Sequence, residues 1–196
     1  MLASVDACLF SSSIMFRGVS QITFRRASKK ERSARANMMK RILFVCGGNI
    51  SCSVMAQYML RTMVDSLGLG DQFEIDSAGT SKVYEGEEIC EGARQKLEEM
   101  NVPSGSHRAR LMTWNDYDQF DYLIGMNETD IDDMRYIVGS DPDQKIHKLS
   151  EFSSGAGLTQ ADGGSKDIDD PWYTDDFDTA YREIQEGLMG LLNRLS

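Results

Sequence analysis

The stretch Ile42-Leu43-Phe44-Val45-Cys46-Gly47-Gly48-Asn49 decides the fold. Five apolar residues run without a polar break, as in a strand covered on both faces of a parallel sheet. Two glycines and an asparagine then end the run. Beyond them, Met55, Ala56, Tyr58, Met59, Leu60, Met63, Val64 and Leu67 mark a broad apolar helix face, and Gly68 is its stop signal. A buried strand, a tight glycine turn and a helix form the opening unit of an alternating α/β chain.

The same alternation continues outward. Phe73-Glu74-Ile75-Asp76-Ser77 reads as a second strand, and Ile89, Ala93, Leu97 and Met100 as the face of a second helix ended near Asn101-Val102-Pro103. Thr113 is placed to cap a short helix through Phe120. Tyr122-Leu123-Ile124-Gly125-Met126 is a third strand, followed by a helix over 128–138 and a short strand over 145–149. A Gly/Ser-rich loop spans 153–165. The last helix, over 175–195, carries Phe177, Tyr181, Ile184, Leu188, Leu191 and Leu195 on one stripe. These elements predict a single doubly wound α/β domain: a mostly parallel four-stranded sheet with helices on both faces. In such sheets ligands bind beyond the carboxyl ends of the strands, and the first such end is Val45-Cys46-Gly47-Gly48. The acidic stretches Asn115–Asp121 and Asp167–Asp170 read as solvated faces.

Charge divides the chain. Acidic residues number 31 and basic ones 21, a balance of −10 that argues against nucleic-acid binding. Yet residues 1–41 hold nine Lys or Arg against only Asp6 and Glu31. The leader, residues 1–37, is Arg-rich, Ser-rich and acid-poor. It is expected to be disordered, either as a mitochondrial-type transit peptide or as an extension without function ahead of Met38 and Met39. The folded body is expected over 38–196. No run of 18 apolar residues exists, so no membrane span is expected. Four cysteines (Cys8, Cys46, Cys52 and Cys90) are too few for a disulfide scaffold and point to a reducing, cytoplasmic setting. The two histidines, His107 and His147, lie far apart without cysteine partners at ligand spacing, so neither a metal nor another cofactor is expected.

A cysteine at a strand end, a glycine-rich loop and a helix start together make a specific chemical arrangement. Loop amides and the helix N-terminus form an anion site, and the same field favours thiolate. A thiolate facing a bound phosphate is a nucleophile in place. The plainer reading of Cys46 is a buried, inert strand residue, and spacing alone leaves both open.

The segment Ile42–Ser53 resembles the opening of the low-molecular-weight protein-tyrosine phosphatases, with bacterial members the closest in appearance. The resemblance continues through Asp76-Ser77-Ala78-Gly79-Thr80, His107-Arg108-Ala109-Arg110, Phe120–Met126 and Asp170-Pro171-Trp172-Tyr173, in order, across 39–196. It implies a metal-free phosphotyrosine hydrolase acting on phosphotyrosine proteins or small aryl phosphates, with Cys46 as nucleophile and Asp170 as general acid. It further implies a phosphate-binding loop of Gly47, Gly48, Asn49, Ile50, Ser51, Cys52 and Ser53. Asn49, Ser53, Ser77 and His107 would form a supporting network, and Trp172 and Tyr173 a wall for the substrate ring. The departures are equally specific. The family pattern is Cys, five residues, Arg, then Ser or Thr, but the sixth position after Cys46 is Cys52. Ser51 replaces a second loop cysteine, Val54 a proline and Asn127 an aspartate. Loss of the arginine leaves two rival expectations: a phosphate- or phosphotyrosine-binding module with little turnover, and a thiol-coupled arsenate reductase. The latter needs further cysteines, and only Cys90 follows Cys52.

Overall fold

The computed structural model describes residues 39–153, 158 and 164–195. The expected leader and most of the Gly/Ser-rich loop lie outside the described residues. Four strands, β1 (Lys40–Cys46), β2 (Phe73–Gly79), β3 (Tyr122–Gly125) and β4 (Ile146–Lys148), form one sheet in the order β2-β1-β3-β4. Every pairing is parallel, so the sheet is wholly rather than mostly parallel among the described residues. Cys46 at the end of β1 lies opposite Gly79 at the end of β2, which brings both strand ends to one edge of the sheet.

Strand alternation sorts the core into two layers. Ile42, Phe44, Cys46, Ile75 and Ile124 face a cluster built from α1 (Cys52–Ser66), α2 (Glu91–Glu99) and α6 (Phe177–Leu195). Leu43, Val45, Ala78, Leu123 and Ile146 face Tyr117 of α3 (Trp114–Gln119) and Ile131 and Met134 of α4 (Glu128–Val138). Ile42 to Val45 are all fully buried, which is why no polar residue interrupts that run. No helix among the described residues is long and apolar enough to cross a membrane.

The observed boundaries differ from the expected ones where polar chemistry replaces apolar periodicity. α1 begins at Cys52, almost a turn before the apolar face that identifies it, because its first turn carries the polar side of a loop. Thr113 does start α3: its N–H donates to Asp116 Oδ2 at 2.7 Å and its hydroxyl at 3.0 Å. The expected long terminal helix is two pieces. Pro171–Thr174 forms a one-turn helix, α5, capped by Asp170, and Asp175 in the left-handed region (φ 57°) breaks it from α6. α6 then packs closely on the turn Leu149–Phe152: a Cβ on Gly190 would stand 1.8 Å from the Phe152 carbonyl oxygen. The two acidic stretches are not simply solvated. Asp116 is buried and paired with Arg110 at 3.1 Å, and Asp167 meets the buried Lys148 at 2.9 Å.

Candidate active site

Between β1 and α1 the chain makes a tight loop over the sheet edge. Its carbonyls are tied outward: Cys46 O accepts from Thr80 N, Gly47 O from Ser81 N, Ile50 O from Cys90 N and Ser51 O from Met55 N, at 2.9–3.1 Å. Asn49 O is held at 2.7 Å by His107 Nε2. In a trans peptide the next N–H points opposite the carbonyl. Five anchored carbonyls therefore turn the N–H groups of Gly47, Gly48, Ile50, Ser51 and Cys52 inward, forming a concavity suited to an anion at the start of α1. The remaining amide, Asn49 N–H, donates to Cys46 Sγ at 3.3 Å.

The loop can close this tightly for two local reasons. Asn49 adopts a left-handed conformation (φ 55°), which asparagine tolerates better than other side-chain-bearing residues. Gly79 lies against it: a Cβ there would come within 3.0 Å of Gly47 O and 3.1 Å of Asn49 Cβ. The Asn49 side chain is the hub. Its Nδ2 donates to Ser53 Oγ at 3.1 Å and Ser77 Oγ at 2.9 Å, while its Oδ1 accepts Arg110 N–H at 3.0 Å. Ser77 hands on to Gln57 at 2.6 Å, and Arg110 is held by Asp76 and Asp116. The four residues expected to form a supporting network are thus brought together. Sequence reading gave no role to Gln57, nor to Asp76 and Arg110, which it quoted only as parts of motifs. Gln57 had a signal, one turn after Ser53 on an otherwise apolar face.

Cys46 Sγ lies 3.0 Å from Ser53 Oγ. The field of the loop was expected to lower its pKa, but the balance runs the other way. Burial pushes the thiol up, buried Asp130 pushes in the same direction, and the bonds from Ser53 and Asn49 oppose them. Cys52 is also buried. Burial, then the neighbouring Cys46 and Asp170, hold its thiol well above the ordinary value, so position 52 supplies no charge. Asp130 is pushed up to about 7, chiefly by burial, against bonds from the Met126 and Asn127 backbone. His107 is kept below its usual pKa by burial, opposed by its bond to Asn49, so it donates from Nε2 as a neutral ring.

Above the loop opens a cavity of about 310 Å³ lined by Cys46, Gly47, Gly48, Ile50, Ser51 and Cys52 at its base. Asp170, Trp172, Tyr173, Tyr84 and Asn127 line its walls. Among the described residues lining it, none carries a positive charge. Asp170 accepts the Trp172 N–H at 3.0 Å, which fixes its carboxyl at the N-terminus of α5. Trp172 stands edge-on to Tyr84 at 5.5 Å between ring centres, and both remain accessible to a flat ligand. Tyr84 was not anticipated. Tyr173 is largely exposed at the rim. Asn127 caps α4, its Oδ1 accepting Asp130 N–H at 2.8 Å. His147 lies elsewhere, packed between Tyr122 and Phe152.

A sequence model of the family described as low molecular weight phosphotyrosine protein phosphatase matches residues 41–196. The chain belongs to that family. Its relatives include the low-molecular-weight protein-tyrosine-phosphatase PtpA of Staphylococcus saprophyticus, 32% identical over 152 residues (78% of this chain, 91% of the relative). A low-molecular-weight phosphotyrosine protein phosphatase of Dictyostelium discoideum is 29% identical over 184 residues, covering 83% and 97% of the two chains. The crystal structure of YfkJ from Bacillus subtilis superposes with a TM-score of 0.75 at 30% identity, covering 81% of this chain and 96% of that one. The low-molecular-weight phosphatase fold is therefore present, and the chain is an enzyme of the protein-tyrosine phosphatase class.

Proposed function

We propose that the chain hydrolyses phosphotyrosine monoesters, on proteins or small aryl phosphates, through a cysteinyl-phosphate intermediate. The observation that carries this is the placement of Cys46 Sγ, bonded to Ser53 and Asn49 N–H, at the base of a cavity whose wall holds Asp170. The phosphoryl oxygens fit the inward N–H groups of the loop, and the tyrosyl ring packs against the wall that Trp172 and Tyr84 form together. The thiolate form of Cys46, disfavoured by burial and reached when the thiol gives its proton to water, attacks phosphorus as the P–O bond to the ring breaks. Asp170 gives its proton to the departing phenolate oxygen. Asp170, now ionised, takes a proton from water as that water attacks the cysteinyl-phosphate, releasing phosphate and thiolate. Ser53 Oγ, 3.0 Å from the sulfur, donates to the thiolate in both steps. A reducing, cytoplasmic setting suits this chemistry, since Cys46 is a free thiol.

Position 52 makes this a slow enzyme. The family pattern places there an arginine that clamps two phosphoryl oxygens. Cys52 is neutral and short, and the described residues lining the cavity offer no cation. By analogy with arginine fingers, the loss is worth on the order of 10³–10⁵ in rate, about 4–7 kcal/mol of barrier. The same feature favours a second reading, a phosphotyrosine-binding module with little turnover, although a cation-free lining weakens anion binding as well.

The test is Asp170→Asn. In kcat/KM, which reports phosphoryl transfer to Cys46 and not the later hydrolysis, aryl phosphates with basic, poor leaving groups should slow by about a hundredfold or more, and those with acidic leaving groups by far less. Equal slowing of both removes Asp170 from the proposed role.

A further inference from the structure

Four charged side chains among the described residues are buried, Asp116, Asp130, Lys148 and Glu183, and none of them touches the reacting groups of the proposed chemistry. Glu183, in the second turn of α6, has a side chain only 8% exposed. A buried carboxylate is costly unless its oxygens are paired, and both oxygens of Glu183 are satisfied by one short segment. Its Oε1 takes Lys166 Nζ at 2.8 Å, and its Oε2 takes the backbone N–H of Asp169 at 2.9 Å. Lys166 closes the ring by meeting Asp169 at 3.5 Å. Between these two residues, Ile168 N–H donates to Met126 O at 2.9 Å. The held segment ends one residue before Asp170.

We infer that Glu183 is a positioning residue for Asp170: it anchors the segment from the α6 side and thereby sets where the acid's carboxyl enters the cavity. The inference rests on the reading of Asp170 as general acid. The linkage is stiff over its short length. The bond to Asp169 N–H fixes the Ile168–Asp169 peptide plane, one peptide before Asp170. Pro171 restricts Asp170 to extended conformations, as observed (φ −81°, ψ 109°). Its carboxyl then caps α5 through Trp172 N–H. With both ends of this unit pinned, Asp170 has little room to swing. Without Glu183 the upstream pin is lost, and the carboxyl is no longer held at the leaving oxygen.

Glu183→Met fills the buried volume but offers no oxygen, whereas Glu183→Gln keeps an acceptor for Asp169 N–H and loses only the charge. Each is compared with the unaltered chain and with Asp170→Asn, on one aryl phosphate with a poor leaving group and one with a good leaving group. Glu183→Met should lose about tenfold in kcat/KM on the poor leaving group and under about twofold on the good one, since kcat/KM reports phosphoryl transfer to Cys46 and proton donation in that step matters only for the former. Glu183→Gln should recover most of that loss. A purely structural role would slow both substrates alike. If Glu183→Met slows both equally while Asp170→Asn discriminates, Glu183 does not position the acid. If neither variant discriminates, the reading of Asp170 fails and the inference falls with it. Hydrogen exchange supplies an arm that needs no variant to fold and no turnover. In the unaltered chain the Asp169 amide should be protected; an unprotected amide there removes the anchor and overturns the inference.

Discussion

Asn49 is the residue on which the loop geometry depends most heavily, and its replacement by alanine and by glycine separates two physical contributions. Alanine removes three side-chain hydrogen bonds: to Ser53 at 3.1 Å, to Ser77 at 2.9 Å and from Arg110 N–H at 3.0 Å. At a net value of about 1 kcal/mol each, these amount to roughly 3 kcal/mol. The two serines keep other partners, Cys46 and Gln57. The Arg110 N–H loses its side-chain acceptor. Alanine must also hold φ at 55°, which costs about 1 kcal/mol that glycine does not incur. Asn49→Ala should therefore lose about 4 kcal/mol and Asn49→Gly about 3 kcal/mol. For a domain of this size, that is about 8–16 °C for alanine, and a large share of the 5–15 kcal/mol typical of folded domains. Urea unfolding of the three chains, with the slope m checked for constancy, measures both numbers. A glycine variant as unstable as the alanine one would refute the strained-turn account. A loss under about 1.5 kcal/mol for both would refute the hub.

Three further expectations concern the site and its charge. Cys52→Arg should raise kcat and kcat/KM together by at least about a hundredfold on one aryl phosphate at fixed pH, with Cys46→Ser,Cys52→Arg as the inactive control; a correctly folded variant no faster than the parent contradicts the missing-clamp account. Asp130, held at about 7 in the fold against an ordinary value of 3.8, keeps a proton that the unfolded chain gives up, so stability falls as pH rises from about 4 through about 7. Asp130→Asn should remove that loss and be more stable than the parent by about 2–4 kcal/mol at pH 8, with little difference at pH 4; parallel pH profiles in urea unfolding would contradict it. The same variant should shift alkylation of Cys46 by iodoacetamide to lower pH, since Asp130 adds to the burial that raises the thiol; an unmoved profile contradicts that coupling.

The two central strands were legible because each is a short apolar run with both faces covered, so Ile42–Cys46 and Tyr122–Gly125 carry their burial in their composition. Helix faces were legible for the same reason, and Thr113 and Gly68 marked ends through backbone chemistry. Boundaries shifted where polar contacts across the fold set them. Nothing local in Cys52-Ser53 announces that α1 starts there to face a loop, and nothing in Asp175 announces the break before α6. In the site, Cys46, Asn49, Ser53, Ser77, His107 and Asp170 were found through motif resemblance. Arg110 and Asp76 stood in those motifs without a role, and Glu183 lay outside them. Their partners lie 61 residues away for Arg110 N–H on Asn49, 34 for Arg110 on Asp76 and 14 for Asp169 N–H on Glu183, separations that no periodicity encodes. Acidic runs hid Asp116 and Asp167, because a carboxylate paired with a cation and a solvated one share the same letter. The direction of the Cys46 shift was also illegible, since it depends on the depth of burial and on Asp130 beneath the loop.

The central claim is that Cys46 becomes phosphorylated during turnover. Rapid acid quench of the chain with a good-leaving-group aryl phosphate, followed by peptide mapping in a mass spectrometer, tests it directly. Asp170→Asn is the chain to use alongside the parent, because the departing group then needs little protonation while water attack on the intermediate lacks its base, and the phosphorylated species should accumulate. The expected result is one phosphoryl group on the peptide containing Cys46, formed as fast as phenol is released and absent from Cys46→Ser. Phenol release with no phosphoryl group on Cys46, or hydrolysis retained in Cys46→Ser, would contradict the account.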